Sequence, residues 1–318
     1  MPLKPPHPLH GLVVAAHTPF HTDGSLNLAV VEKQAAHFLQ HDVTKVFVGG
    51  TTGECTSLTV EERRALAQRW SEVAHGTELK IIIHVGSNCL ADARALATQA
   101  QALGAIAISA FAPSYFKPRN LDTLIACCAD IASAAPETPF YFYDIPSLTN
   151  ISLPMHEFLA QAPSRIPTLV GIKFTNPDLM AYQFVLRADG GRWDVPFGVD
   201  EHFLGALAVG ARGAVGSGFN FAAPIYKRLL RAFAAGDLNA AREEQFRGVQ
   251  LVHLLASYGY MGAGKAVMEM LEVPVGPPRL PNTTLTRDQI AELRRKLEEL
   301  GFFGLLNFRP ERLREASD

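Results

Sequence analysis

Cysteine is scarce. The 318 residues hold four, at Cys55, Cys89, Cys127 and Cys128. None forms a C-x-x-C pair, and adjacent Cys127 and Cys128 cannot easily bridge each other. A disulfide framework or a zinc site is disfavoured, and free thiols in a reducing cytosol are expected. Long apolar runs are missing as well: none approaches the roughly 20 residues that span a bilayer. Charge of one sign is missing too, since 29 Lys plus Arg face 31 Asp plus Glu for a formal net charge of -2. No basic stripe points to nucleic acid, and no basic cluster points to a lipid surface. The opening Met1-Pro2-Leu3-Lys4-Pro5-Pro6 has no apolar core of the kind a secretory leader needs. These absences lead to the expectation of a cytoplasmic protein acting on a small molecule, without nucleic-acid or membrane partners.

Cofactor signatures are thin. There is no Walker A loop and no H-E-x-x-H. Gly210, Gly213, Gly216 and Gly218 do not have the spacing of a dinucleotide loop. His17 and His84 fall near strand ends with few ligand-type neighbours, so packing or hydrogen bonding is favoured over a metal.

What is present is apolar and periodic. Hydrophobic residues make up 48% of the chain, enough for one large core. Short apolar runs alternate with segments of helical spacing. The runs are 12–16, 45–48, 80–85, 106–110, 139–143, 168–173, 195–198 and 213–216. Helical patterns follow each, one of them opened by Thr59 and Glu62 at capping-box spacing. This alternation predicts a (β/α)8 barrel, an α/β TIM fold, over 10–235. Three further helical patterns, about 237–257, 264–271 and 286–299, predict a C-terminal helical region over 236–302. Residues 303–318 read as a fraying tail.

In such barrels the active site lies at the C-terminal ends of the strands. Applied here, that places Thr51 and Thr52 after strand two, Tyr115 after strand four and Tyr143 at the end of strand five. Lys173 and Thr175 end strand six, Gly198, Asp200 and Glu201 follow strand seven, and Ser217 and Asn220 follow strand eight. Lys173 ends an apolar strand, Thr168-Leu-Val-Gly-Ile-Lys173. Such a lysine either snorkels to water or keeps a desolvated amine with a lowered pKa. The desolvated amine would be a nucleophile toward a ketone; the snorkelling one would merely cap a strand. Gly49-Gly50-Thr51-Thr52-Gly53 offers backbone N–H groups and two hydroxyls suited to a carboxylate, or is an ordinary turn. Tyr143 can shuttle a proton or fill the barrel mouth. Asp200 and Glu201 can bind polar substrate or complement a helix dipole. Ser217 and Asn220 can be turn residues.

Four motifs in order, G-G-T-T-G-E at 49–54, Y-D-I-P at 143–146, G-I-K-F-T at 171–175 and G-V-D-E at 198–201, resemble those of the Schiff-base-forming pyruvate lyases. That family includes dihydrodipicolinate synthase and N-acetylneuraminate lyase, and the resemblance spans about residues 10–300. F-G-V-D-E at 197–201, G-A-V-G-S at 213–217 and G-P-P-R-L-P at 276–281 resemble the lyase branch more closely. The synthase typically carries an arginine where this chain has Leu148, and an apolar side chain cannot make a bidentate ion pair. Asp144 stands where the lyase usually has Asn or His, and Gly218-Phe219 where it often has Thr-Tyr.

The resemblance implies that Lys173 is the nucleophile, that Thr51 and Thr52 hold the C1 carboxylate, and that Tyr143 moves protons. It implies that Thr175, Gly198, Asp200, Glu201 and Ser217 bind the polyol tail. Tyr115 would be lent to a neighbouring subunit of a homotetramer. No metal or organic cofactor is implied, because the lysine supplies the electron sink. The expected substrate is a 2-keto acid or sugar acid, N-acetylneuraminate first. A related 2-keto-3-deoxy sugar acid aldolase or dehydratase, a synthase-like enzyme and a silent sugar-acid binder are the alternatives.

Overall fold

The computed structural model describes residues 7–306. Among these, seven parallel strands follow the order β6-β5-β4-β3-β2-β1-β7. They are β1 (Gly11–Ala15), β2 (Lys45–Val48), β3 (Lys80–His84), β4 (Ala107–Phe111), β5 (Phe140–Asp144), β6 (Leu169–Phe174) and β7 (Gly213–Gly216). The expected strand at 195–198 is a correction: it pairs only through isolated bridges, Phe174 with Phe197 and Phe197 with Ala214. Pro196 has no N–H to give, so a continuous ladder cannot form there. Its neighbours still do the joining. Gly198 N donates to Phe174 O (2.8 Å) and Phe197 N to Gly213 O (2.9 Å), so the segment ties β6 to β7 and closes the ring.

Strand parity sets what faces inward. Val13, Ala15, Phe47, Ile82, Tyr141, Tyr143, Val170 and Val215 form one buried cluster, which fills the barrel. Leu12, Val14, Val46, Ile81, Ile83, Phe140, Phe142 and Ile172 belong to the other, between sheet and helices. The first set comes from alternate positions of each strand, as a barrel filled by layers of side chains requires. Along β6 the register shifts between Phe140 and Tyr141, so the alternation restarts after Val170; Ile172 faces the helices, and Lys173, register partner of the inward Tyr143, enters the barrel.

The helices cover the outside: α1 (Val30–Gln40), α2 (Val60–Ala74), α3 (Leu90–Ala102), α4 (Leu121–Ser133), α5 (Pro146–Thr149), α6 (Met155–Gln161), α7 (Leu179–Arg187), α8 (Phe203–Ala208) and α9 (Phe219–Ala234). Helix α2 starts on the expected capping box, with Thr59 Oγ1 accepting from Glu62 N at 3.2 Å and Glu62 Oε2 from Thr59 N at 2.9 Å. The four-residue α5 has no apolar period to announce it; Pro146 starts it and Asn150, at φ 53°, stops it. Helix α9 begins four residues before the expected start near 223, with a break at Ala222.

The C-terminal region contributes α10 (Leu238–Ser257), α11 (Tyr260–Met270), α12 (Arg287–Glu299) and α13 (Phe302–Leu306). Residues 303–306 were expected in a tail. They complete α13 instead, and Leu305 O accepts from Arg228 Nη1 at 2.8 Å. The rest of that tail, 307–318, lies outside the described residues. No described helix is long and apolar enough to cross a membrane. All four cysteines are free thiols.

Candidate active site

Tyr143 and Lys173 are register partners on adjacent parallel strands. Sharing register and parity, they meet inside the barrel. Lys173 Nζ lies 3.5 Å from the centroid of the Tyr143 ring and 4.8 Å from that of Phe47. The lysine is only 3% exposed, and it makes no ion pair among the described residues. An amine surrounded by aromatic faces loses the hydration that stabilises its charge. Burial pushes Lys173 down to about 7, against the opposing pull of Asp200. Of the two fates open to a lysine at a strand end, this one is the desolvated amine.

The Tyr143 hydroxyl reaches Thr51 Oγ1 at 3.2 Å. Burial pushes the phenol up to about 12, so it keeps its proton at neutral pH. Behind it, the His84 ring stands 5.6 Å from that of Tyr143 and 4.5 Å from that of Phe111. Burial holds the His84 imidazole neutral, and His17 is pushed down to about 3. Both histidines are therefore packed core residues.

The 49–54 loop is held by backbone geometry. Gly49 has φ 65°, and Glu54 adopts the left-handed conformation at φ 54°. Glu54 N donates to Thr51 O at 2.9 Å and Cys55 N to Gly50 O at 3.2 Å. Thr18 Oγ1 donates to Gly53 O at 2.6 Å. Thr51, which meets the phenol, is half-buried, and its neighbour Thr52 is buried.

Beyond the strand ends lies a cleft of about 480 Å³ lined by Thr175, Gly198, Asp200, Glu201, Ser217 and Tyr260, among others. Lys173 and Tyr143 do not line it. Its shape depends on two missing side chains. A Cβ on Gly198 would stand 1.9 Å from Thr175 Oγ1, and one on Gly216 would stand 2.1 Å from Asp200 Oδ1. Asp200 accepts from Gly218 N at 2.7 Å, yet burial still pushes its carboxyl up to about 7. Ser217 Oγ lies 2.9 Å from Tyr260 OH, so α11 supplies part of the cleft wall. Asn220, one of the turn candidates, is buried and donates to Ala15 O at 2.7 Å and Ser217 O at 2.8 Å. It ties β1 to the start of α9.

Tyr115 stands apart. It is 78% exposed and does not line the cleft; with Phe116, Lys117 and Asn150–Leu153 it borders a separate surface groove of about 710 Å³. Within one chain the fold brings together Lys173, Tyr143, Thr51, Thr52, Thr175, Gly198, Asp200, Glu201 and Ser217, but not Tyr115. Leu148 is 61% exposed on α5.

Two contributors carry no motif signal of their own. Tyr260 belongs to a helix whose expected start was four residues later. Lys265 is a lone cation among Gly262, Ala263, Gly264 and Val267, all buried. A lysine inside a small, apolar helical stretch is the one sign the sequence offers for it.

The chain is 38% identical over 302 residues to the N-acetylneuraminate lyase of Gallus gallus, covering 94% of this chain and 98% of that one. Among solved structures, the N-acetylneuraminate lyase of Proteus mirabilis superposes with a TM-score of 0.90 at 40% identity, over 93% of this chain and all of that one. A dihydrodipicolinate synthase from Cyanidioschyzon merolae, solved with lysine bound, superposes at 0.85 with 28% identity, over 92% of this chain and 97% of that one. Residues 8–300 match the dihydrodipicolinate synthetase family, and the chain belongs to it.

Proposed function

We propose that this chain is a Schiff-base lyase that reversibly cleaves N-acetylneuraminate to pyruvate and N-acetylmannosamine. The observation that carries the reading is the buried Lys173 amine set against the Tyr143 ring, with the Thr51 hydroxyl on the far side of the phenol. A buried amine held to about 7 is half neutral at cellular pH, which a carbonyl condensation needs. The carboxylate of the substrate fits the N–H groups and hydroxyls of Thr51 and Thr52. The polyol fits the polar cleft of Thr175, Gly198, Asp200, Glu201 and Ser217. The higher identity to the Gallus gallus and Proteus mirabilis lyases, 38% and 40%, than to the Cyanidioschyzon merolae synthase, 28%, supports the lyase branch.

The chemistry follows from the lysine. Its lone pair attacks the C2 ketone of the open-chain sugar acid, and loss of water leaves a protonated imine. The C3–C4 bonding pair flows into that imine as the C4 hydroxyl gives up its proton, releasing an aldehyde and leaving an enamine. Protonation at C3 and hydrolysis then free pyruvate and the amine. A phenol near 12 cannot begin as phenolate. Tyr143 therefore acts as a relay, releasing its proton only as another arrives, with the substrate carboxylate as a partner. The lysine supplies the electron sink, so the reading calls for no metal or organic cofactor. Cytoplasmic residence and a homotetramer, with Tyr115 reaching a neighbouring subunit, belong to the same reading.

One observation favours a second reading. Asp144, at the end of β5, is buried and its carboxyl is pushed up to about 7. An extra acid beside the tyrosine suits a related 2-keto-3-deoxy sugar acid aldolase or dehydratase. Pyruvate release from N-acetylneuraminate, 2-keto-3-deoxygluconate and a 4-hydroxy-2-ketoglutarate-type acid separates the two. Release fastest from N-acetylneuraminate is expected; faster turnover of either other acid would replace the substrate assignment.

The pH dependence carries its own prediction. The folded amine sits below the ordinary lysine value of 10.5, so its neutral fraction rises with pH through about 7 and then saturates. The rate at which borohydride traps pyruvate on the protein is expected to climb from pH 6 and level off by about pH 9. A rate still rising tenfold per pH unit at pH 9 would mean an ordinary, solvated lysine.

A further inference from the structure

The deepest ion pair in the described structure is outside the catalytic set. Lys265 Nζ lies 2.7 Å from Glu54 Oε1, and each side chain is only 1% exposed. Lys265 also donates to Thr18 O at 2.9 Å and to Pro277 O at 3.1 Å. The other oxygen of Glu54, Oε2, accepts from Arg279 N at 2.8 Å. Both partners of the carboxylate thus come from the C-terminal region, one from α11 and one from the segment after it. Of the two carbonyls the lysine holds, that of Thr18 lies in the loop after β1 and that of Pro277 in the segment after α11.

That loop and Glu54 enclose the carboxylate-binding turn. Glu54 is its last residue and holds the left-handed conformation without being glycine, a backbone state that side chains disfavour. Thr18, whose carbonyl Lys265 holds, uses its hydroxyl to hold the Gly53 carbonyl. Residues 53 and 54 are therefore fixed from two directions by one ammonium group. Arg279 adds a third tie: its guanidinium donates to Ser57 O at 2.8 Å and pairs with Glu62 at the start of α2. The segment packs closely enough that a Cβ on Gly276 would lie 1.9 Å from Phe20 O.

An apolar pair could fill the same space and stabilise as well. What a buried ion pair adds is direction, because each atom accepts only partners of one kind at one distance. We propose that Glu54 and Lys265 are positioning residues: the C-terminal helical region, through this pair, sets the orientation of Thr51 and Thr52 and so the affinity for the substrate carboxylate. The proposal rests on the Schiff-base reading and adds that the helices after the barrel are a working part of the site. Neither residue touches the reacting atoms.

The test uses the full chain with pyruvate and borohydride. Glu54→Gln with Lys265→Met removes both charges while nearly keeping both shapes, and it leaves no buried charge unpaired. The half-saturating pyruvate concentration for trapping is expected to rise about tenfold, while the trapping rate at saturation changes by less than about threefold. A merely stabilising pair would lower the melting temperature and leave half-saturation where it was, and that result overturns the proposal. Failure of the unmodified chain to trap pyruvate on Lys173 would sink the Schiff-base reading instead, whatever the variant does. Hydrogen exchange on the unmodified chain decides if the double variant does not fold. Pyruvate must then raise amide protection across 260–281 as well as 49–55, and protection confined to 49–55 overturns the proposal.

Discussion

Replacing Lys173 with alanine is expected to abolish borohydride-dependent capture of pyruvate and to lower kcat on the order of 10⁴-fold or more. Among the described residues the barrel has no second amine placed to take over. Lys265, the other buried lysine, is committed to Glu54 and two carbonyls. The variant should also keep its fold, because the change relieves a desolvated cation. The sign is fixed by linkage. Lys173 has a folded value near 7 against an ordinary 10.5. Between those values the unfolded chain binds more protons than the folded one, so this group's contribution makes stability rise with pH across that window. Alanine removes that slope. Unchanged turnover, checked by pyruvate release, would remove the nucleophile assignment. A variant that unfolds at neutral pH would instead make Lys173 a structural residue.

Tyr143→Phe isolates the phenol. The ring that lies 3.5 Å from Lys173 Nζ stays, and only the hydroxyl facing Thr51 is lost. Loss of a positioned proton donor and acceptor typically removes about 10² to 10⁴ in rate. That drop is expected in kcat for cleavage, while pyruvate is still trapped on Lys173 because imine formation needs the amine first. The split between trapping and turnover is the signature. A kcat within tenfold of the unmodified protein would mean that the phenol serves packing, the commoner fate of a tyrosine inside a barrel.

Much of the fold is legible because it is written in neighbouring residues. Apolar runs broken by turn chemistry mark the strands, and a period near 3.6 marks the helices. The Thr59–Glu62 spacing marks the start of α2, where both capping bonds form. The segment at 195–198 shows the limit of such reading. Its apolar content marks a strand, but Pro196 decides that it pairs only at isolated points. The short helix at Pro146–Thr149 is too brief to show a period. Within the candidate site, strand ends are legible as places but their mutual orientation is not.

From the sequence alone come the barrel, the order of its strands and the list of polar residues at their C-terminal ends. Each of these depends on local periodicity and on a fold rule that holds for any such chain. Only the tertiary structure decided that Lys173 loses its water against Tyr143 and Phe47, that Tyr115 points away to the surface, and that Glu54 is answered by Lys265. Those outcomes depend on register, burial and contacts between segments far apart in the chain, and no local pattern encodes the dielectric a side chain will meet.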